Sequence, residues 1–225
     1  MKKLFWLLLT IVIILGTLAL WLTTSNRRFN VSTGRISQLT TQNMSFNTQP
    51  QTVHLVLRTA QLKIKSGNHY QLTAHHVSSD QFKLTHSNSV LSIAETNAKH
   101  HQLEIGKTPV LTLTVPTKVE QLTVNQLNGT LALNDLTVGT LTLHHRNGTT
   151  TATNLTVTRG GKLIKQNGRT DLRRLTSDGL SVAIKTGQFK LNGTKRASNQ
   201  QTYTQAGNHP LTIKSGTGQV HVTTN

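Results

Sequence analysis

The sequence contains no cysteine and few acidic residues. The absence of cysteine from all 225 residues excludes a disulfide framework, a cysteine-based zinc site, a thiol nucleophile and a lipidated cysteine. Asp and Glu together number 7 against 24 Lys and Arg, for a formal net charge of +17, so groups for acid–base catalysis are scarce. Good helix formers are few and threonine is common, which favours β structure over a helical bundle.

One long apolar segment stands at the N-terminus. Met1-Lys2-Lys3 precedes Leu4 to Leu22, a run of 19 residues without a charge. As a helix this run is about 28 Å long, close to the hydrocarbon thickness of a bilayer. It is longer than the apolar core of a typical cleavable signal and is followed by a poor processing site. We therefore predict an uncleaved signal-anchor transmembrane segment, with its flanks, over residues 1–28.

The charges beside this segment bear on its orientation. Lys2 and Lys3 favour a cytoplasmic N-terminus, whereas Arg27 and Arg28 flank the opposite end. The signal-like architecture decides for an inside N-terminus. The sequence thus predicts a single-pass cell-membrane protein with an extracytoplasmic body.

Two further regions follow the anchor. Residues 29–50 are rich in Ser, Thr, Asn and Gln and are predicted to form a polar linker. Residues 51–225 are predicted to form a domain of β-strand repeats. Its first half contains short runs in which apolar and polar residues alternate, which indicates half-buried strands. These runs are Val53-Leu55-Leu57, Leu62-Ile64, Phe82-Leu84, Leu91-Ile93 and Leu111-Leu113-Val115.

The second half repeats itself at a nearly constant period. The turn-like pairs recur at steps of 19, 20 and 19 residues as Asn128-Gly129, Asn147-Gly148, Asn167-Gly168 and Thr186-Gly187. Mainly apolar residues stand six and four positions before each pair and three, five and eight positions after its first residue. A fifth copy around Thr217-Gly218 follows an insertion of 11 residues. Five copies predict a repeat architecture with regular rungs from residue 119.

Two all-β folds fit this pattern. An Asn-Gly pair between alternating strands is typical of a β-hairpin, which gives an antiparallel sandwich or meander. In a single-stranded β-solenoid, each copy is one rung, and the amides of Asn128, Asn147 and Asn167 can pair between rungs. The constant period favours the solenoid, because a one-residue slip moves apolar side chains to the other face. The basic insertion from Lys195 to Gly207 is expected to bulge from one corner.

With these columns aligned, the chain resembles a known family. The Val110–Pro116 run is followed by repeats of the form L-x-V-x-x-x-x-G-x-L-x-L, which end at Leu211 to Val222. This pattern, from about Val53 onward, is similar to the putative adhesin, β-strand-repeat domain of unknown function of Gram-positive envelope proteins. The resemblance implies a role in the cell envelope or in envelope-stress regulation. The family's motifs are structural and imply no catalytic residues.

The spacing of the histidines and aspartates favours neither a metal site nor a catalytic pair of carboxylates. Neighbouring residues on a strand face opposite sides, so no adjacent histidine pair can chelate one ion from a regular strand. A glycosidase needs two carboxyls held roughly 5–9.5 Å apart, but Asp135, Asp171 and Asp178 occupy different columns of the repeat. We therefore predict no metal, no cofactor and no catalytic residue. The histidine pairs are His75-His76, His100-His101 and His144-His145.

Basic residues crowd the third and fourth rungs. Outside a membrane such a cluster favours an anionic partner, such as teichoic acid or acidic lipid, although it also suits a solvated exterior. An envelope protein is a further candidate partner. Nucleic acid is not expected, since six aromatics beyond Trp21 offer few stacking platforms. The candidate anion-binding residues are Lys162, Lys165, Arg169, Arg173, Arg174, Lys185 and Lys190, with Lys195 and Arg196 nearby.

These observations predict a non-enzymatic cell-envelope protein, anchored in the membrane, whose body binds an anionic envelope component as an adhesin or interaction domain. The alternative is an accessory sensor or regulator of an envelope-stress system. A third hypothesis is a β-helix enzyme that acts on polysaccharides.

Overall fold

The computed structural model describes residues 2–46, 50–87, 89–96, 98 and 102–225. It contains one helix, at the N-terminus, and is otherwise built of strands, so the all-β class is confirmed. In chain order the elements are α1 (Lys2–Thr24), β1 (Arg27–Asn30), β2 (Arg35–Gln38), β3 (Thr40–Phe46), β4 (Thr52–Gly67), β5 (Tyr70–Val77), β6 (Phe82–Ser87), β7 (Val90–Glu95), β8 (Glu104–Gly106), β9 (Val110–Pro116), β10 (Lys118–Val157), β11 (Gly161–Leu191), β12 (Thr194–Ser198), β13 (Gln201–His209) and β14 (Leu211–Thr224).

Helix α1 exposes apolar side chains on all sides. Apart from Leu22, which is buried, its large apolar residues are exposed. Its hydroxyls bond to the helix itself, as where Thr10 Oγ1 donates to the carbonyl of Trp6 at 2.9 Å. Because these hydroxyls pair with carbonyls of their own helix, they do not need water, and the helix can lie in an apolar environment. Among the described residues this is the one helix long and apolar enough to cross a membrane.

The repeats pair side by side in parallel. We number the copies one to five by their turn residues Asn128, Asn147, Asn167, Thr186 and Thr217. Strand β10 holds copies one and two, β11 holds copies three and four, and β14 holds copy five. In the β10–β11 pairing, Asn147 lies opposite Asn167, so the two copies are in register. The Asn-Gly pairs therefore lie within parallel ladders and are not hairpin turns, because a hairpin would pair the flanking segments antiparallel.

The amide ladder expected from the repeat is present. Asn147 Nδ2 donates to Asn128 Oδ1 at 2.9 Å, and Asn167 Nδ2 donates to Asn147 Oδ1 at 2.8 Å. Each bond joins one copy to the next. The ladder thus fixes the register of copies one, two and three in addition to their apolar columns.

The strands before residue 118 continue the same stack. Strand β4 pairs in parallel with β10, with Leu55 opposite Val124. The other edge of β4 pairs in parallel with β7 and β9, with Leu91 opposite Val53 and Leu111 opposite Leu62. The sequence predicted these runs as strands but not as members of the repeat. The inward-facing apolar side chains of β4, β7 and β9 are buried in one core with those of the copies, and Phe82 and Leu84 of β6 are partly buried against it.

Copy five does not follow copy four in space. Ile213 of β14 lies opposite Leu163 of copy three on one side and Val182 of copy four on the other. The last strand is therefore inserted between copies three and four, although it follows both of them in sequence, and the repeat pattern alone did not predict this position. The reason is that the apolar columns have similar chemistry in every copy. They fix register but do not specify which copies are neighbours.

Antiparallel strands cover both ends of this stack. At one end β12 and β13 pair antiparallel with the copy-four half of β11. The segment from Lys195 to Gly207 thus pairs along an edge instead of bulging from a corner. At the other end β5 pairs antiparallel with β9, and β6 pairs antiparallel with β7. Such strands shield ladder edges that would otherwise pair with other chains.

The region predicted as a polar linker, residues 29–50, also contains strands. Strand β1 pairs antiparallel with β2 and with β8 in a small three-stranded sheet, and β3 pairs antiparallel with β5. These short segments carry little regular apolar alternation, so the sequence did not indicate them as strands. Asn47, Thr48 and Gln49 lie outside the described residues.

Candidate functional site

Three of the predicted anion-binding residues line one groove of about 350 Å³, which we call the basic groove. They are Arg169, Arg173 and Lys190, and they surround Asp171 and His221. Arg169 and Arg173 stand two residues before and after Asp171, so the period of a strand places all three on the outward face. The register of β14 brings His221 beside Asp171 on one side and Lys190 on the other.

An ion-pair network organises the basic groove. Arg169 Nε lies 2.6 Å from Asp171 Oδ2, and His221 Nδ1 lies 3.4 Å from Asp171 Oδ1. Arg173 and Lys190 have no carboxylate within ion-pair distance among the described residues. Asp171 thus holds Arg169 in place, while the other two cations remain available. The groove is positive overall and can accept a phosphate or carboxylate group.

Other candidate residues lie away from this groove. Lys185 lines a separate groove with Lys214 and Gln200. Arg174 occupies a corner of its rung with a positive φ of 53°, and its Nε donates to Asn154 Oδ1. Lys162 is exposed on the outward face of the strand before the turn, and Lys195 and Arg196 are exposed in β12.

Lys165 is inside the protein, and this corrects its assignment as an anion-binding surface residue. Its side chain is 2% exposed, and its Nζ donates to Thr150 Oγ1 at 3.0 Å. It also lies 3.3 Å from His145 Nδ1. Burial lowers the pKa of Lys165 to about 8. A residue enclosed in this way cannot contact a polymer or a membrane outside the stack.

A column of polar side chains therefore runs through the apolar interior. Two positions before the turn residue of their copies stand Gln126, His145, Lys165 and Ser215, all buried. Burial first, and then the charge of Lys165, lowers the pKa of His145 to about 4, so its imidazole is neutral at pH 7. The sequence did carry a signal for this column. Residues six and four positions before the turn face inward. Because side chains alternate along a strand, the residue two positions before the turn must face inward as well.

A second, larger groove of about 640 Å³ crosses the outer face of β4, β10 and β11. It has an apolar wall of Val56, Leu127 and Ile164, with Arg146 and Gln166 among its polar residues. Its polar lining also includes His54, Asn125 and His144.

The histidine pair at residues 144 and 145 alternates between the two faces of its strand, as strand geometry requires. His144 lies on the outer face, whereas the adjacent His145 is fully buried. The rings of His75 and His76 are 6.4 Å apart and tilted by 53°. The pair at positions 100 and 101 lies outside the described residues. Within the described part of the chain, no three metal-ligating side chains come together.

The three aspartates considered for polysaccharide cleavage have different partners. Asp135 Oδ1 accepts from Asn154 Nδ2 at 2.6 Å. Asp178 Oδ2 accepts from the backbone N–H groups of Asn208 and His209 at 3.0 and 3.1 Å. Asp171 contacts Arg169 and His221 in the basic groove. Each carboxylate thus has a structural contact of its own.

A buried polar network joins the strand after α1 to the body. Arg28 is 6% exposed, and it donates to Gln81 Oε1 at 2.9 Å and to the carbonyl of Lys107 at 2.6 Å. Gln81 donates to Glu95, which accepts from the backbone N–H of Arg58 at 2.6 Å. Desolvation lowers the pKa of Arg28, opposed by the charges of nearby glutamates. Arg28 therefore belongs to the body and not to the flank of the apolar helix.

The parallel repeats, closed at both ends by antiparallel strands, define an all-β repeat protein with an N-terminal apolar helix. A family model described as Toastrack DUF4097 matches residues 110–225, and the chain belongs to this family. The resemblance to the putative adhesin domain family is thereby confirmed. No curated protein matches the chain.

One solved structure shares the fold at low sequence identity, and others are similar to a smaller extent. A putative cell adhesion protein from Clostridium sporogenes ATCC 15579 superposes with a TM-score of 0.66 at 11% identity, covering 84% of this chain and 100% of the other. A putative adhesin from Bacteroides fragilis NCTC 9343 gives a TM-score of 0.38 at 11% identity, covering 82% and 96%. A putative lipid binding protein from Parabacteroides distasonis ATCC 8503 gives 0.35 at 8% identity, covering 81% and 96%.

Proposed function

We propose that this protein is a non-enzymatic cell-envelope protein, anchored in the membrane by α1, whose extracytoplasmic body binds a phosphate-bearing anionic component through the basic groove. The observation that carries this proposal is the convergence of Arg169, Arg173 and Lys190 on one groove. Among the described residues that line this groove, Asp171 is the one carboxylate that offsets their charge. Phosphates of a teichoic acid or of a lipid headgroup present the same chemistry to such a groove.

We propose further that residues 51–225 form one body, a β-solenoid of 19–20-residue rungs. Its support is the offset of 20 residues between paired positions of copies two and three, such as Leu143 with Leu163. The parallel pairing of β4 with β10 supports including the first half of the region in this body. A stack of this kind holds the basic groove rigid, because its residues come from three adjacent strand segments.

The membrane anchor and outside location remain part of the proposal. They are supported by an uncharged helix long enough to span a bilayer. The inside orientation is supported by Lys2, Lys3 and the terminal amine before the helix, although Arg27 flanks its other end.

Binding of the full-length protein in neutral detergent tests the anion proposal. Arg173→Gln with Lys190→Gln should weaken binding to purified teichoic acid or to phosphatidylglycerol vesicles by about two- to thirtyfold at low salt, as expected for two exposed charge pairs. The effect should shrink as salt rises. Lys162→Gln with Lys185→Gln removes the same charge outside the groove and serves as the control. The ligand that responds selectively identifies the source of the phosphate, and equal losses in both variants would contradict a specific groove.

A second candidate, a sensor of envelope stress, is favoured by the buried network at Arg28. This network links the strand after α1 directly to the body, so a ligand-induced change in the body can reach the helix. Arg28→Gln should abolish an envelope-stress reporter response while Arg27→Gln preserves it. An unchanged response in both variants would exclude signalling through this network.

A further inference from the structure

Lys165 is a buried cation without a buried counter-charge. Its side chain is 2% exposed, and its two hydrogen bonds go to Thr150 and to a neutral imidazole, that of His145. All seven carboxylates of the chain lie in the part that the structure describes, and none is within ion-pair distance of Nζ. Enclosing an ammonium group in this way is unfavourable unless a negative charge accompanies it.

Two hydroxyls beside Lys165 also have no hydrogen-bond partner. Thr170 Oγ1 and Ser215 Oγ are buried and unpaired among the described residues. Ser215 lies directly opposite Lys165 in the β11–β14 pairing. Thr170 stands five residues after Lys165, the same relation in which Thr150 follows His145, and that pair is in contact at 2.8 Å. Both hydroxyls therefore face the layer that Lys165 occupies.

The groups in this layer can all donate hydrogen bonds. An ammonium has three N–H groups, of which Thr150 and His145 take two, and each hydroxyl adds an O–H. Donors gathered around one positive charge select an anion over a cation or a neutral acceptor. Neighbouring rungs lie about 4.8 Å apart. Lys165, Thr170 and Ser215 are 2%, 0% and 4% exposed, which favours a small monovalent ion over a large one.

We propose that the interior between copies two, three and five binds one chloride-like anion, held by the ammonium of Lys165 and the hydroxyls of Thr170 and Ser215. The anion compensates the charge that the fold encloses and completes the bonding of both hydroxyls. It contributes to the stability of the stack because it binds the folded chain and not the unfolded one. The site is separate from the basic groove and does not depend on the function of that groove.

Thermal unfolding of the full-length protein in neutral detergent tests this site. Chloride should replace gluconate at constant ionic strength, so that screening stays unchanged. The midpoint should rise saturably, by about 3–6 °C at a chloride concentration ten times Kd. Lys165→Met keeps the length of the side chain and should lose the response, whereas Lys162→Met, on the same strand but exposed, should keep it.

Two further measurements make the result decisive. Ser215→Ala and Thr170→Val each remove one donor with little change of shape, and each should weaken the chloride response even if Lys165→Met does not fold. Crystals grown in bromide should show an anomalous peak beside Lys165 Nζ. A chloride-independent midpoint in the wild type, or a water without anomalous signal at this position, would overturn the proposal.

Discussion

At the scale of single residues, one glycine in each copy permits the copies to approach closely. Gly148 has a φ of +124°, and a Cβ built on it would lie 1.8 Å from the carbonyl oxygen of Gly129. The same contact recurs at Gly168 and Gly187 with their own neighbours. Since the obstacle is backbone, no side-chain rotation can relieve it. The glycine of the turn pair is thus required by stacking as well as by its conformation.

We therefore expect Gly148→Ala to lower the free energy of unfolding by about 2 kcal/mol or more, measured by urea denaturation. Gly193→Ala is the matched control. Its φ is also positive, at +81°, but a Cβ there meets nothing within 4 Å. It should cost about 1 kcal/mol from backbone strain alone. Equal losses at the two positions would show that close approach is not the cause.

The buried imidazole of His145 predicts a loss of stability in mild acid. Its pKa is lowered to about 4 in the folded protein from an ordinary value of 6.5. Between these values the unfolded chain binds a proton that the folded chain does not, so stability falls as the pH falls from 6.5 to 4. The loss approaches about 3 kcal/mol. His145→Gln should flatten this part of the pH dependence of urea unfolding.

His144→Gln, on the outer face of the same strand, should keep the wild-type dependence. The carboxylates titrate alike in all three proteins and cancel in the comparison. An unaltered pH slope in His145→Gln would mean that this imidazole is not buried in its neutral form.

At the scale of elements, β14 is a central member of the stack. It pairs with Gly161–Leu172 on one side and Leu180–Leu191 on the other. Both partners belong to β11, so this strand joins the two halves of one long element. The β12–β13 pair that precedes it in sequence occupies the outer edge of copy four, which leaves the inner position to β14.

This position predicts high protection of β14 from hydrogen exchange. The amides of Ile213 and Val220 should exchange as slowly as that of Leu163, because they open only with global unfolding. Those of β13, which pairs on one side, should exchange faster. Rapid exchange throughout β14, as for a frayed terminal rung, would contradict the inserted order.

At the scale of the whole molecule, some of the positive charges that the structure describes are paired with carboxylates and most are not. Glu95 and Glu104 pair with Arg58 in the buried network near the start of the body. Glu120 is bound by Arg159, which lies 2.6 Å away and holds the pKa of that carboxyl below its usual range. The cations that remain unpaired therefore dominate the outer surface and include two of the basic groove. This distribution is what makes an anionic surface or polymer the expected partner.

The proposed topology predicts the result of proteolysis on intact cells. A tag after Asn225 should be removed by externally added protease, since the body is expected outside the cytoplasm. A tag before Met1 should survive until the cells are lysed. Survival of the C-terminal tag on intact cells would place the basic body inside and would redirect the search to cytoplasmic anions.

Much of the architecture could be predicted from local patterns. The alternating runs and the recurring turn pairs identified most strands after residue 51, the register of copies one to three and the ladder that starts at Asn128, but not β1, β2 or β3. The basic groove was predicted only in part. Arg169, Arg173 and Lys190 were among the candidates, but they were not distinguished from Lys165. The position of Lys165, two residues before the turn, predicts an inward side chain, but its charge suggested an exposed residue.

The sequence by itself determined the all-β class, the apolar N-terminal helix and the family, because each depends on composition or on spacing along the chain. Only the tertiary structure decided that β14 lies between copies three and four, that β12 and β13 cover an edge, and that His221 meets Asp171. These features depend on which strands become neighbours. Copies with equivalent apolar columns can pair in several orders, and the choice between them is made by contacts distant in sequence.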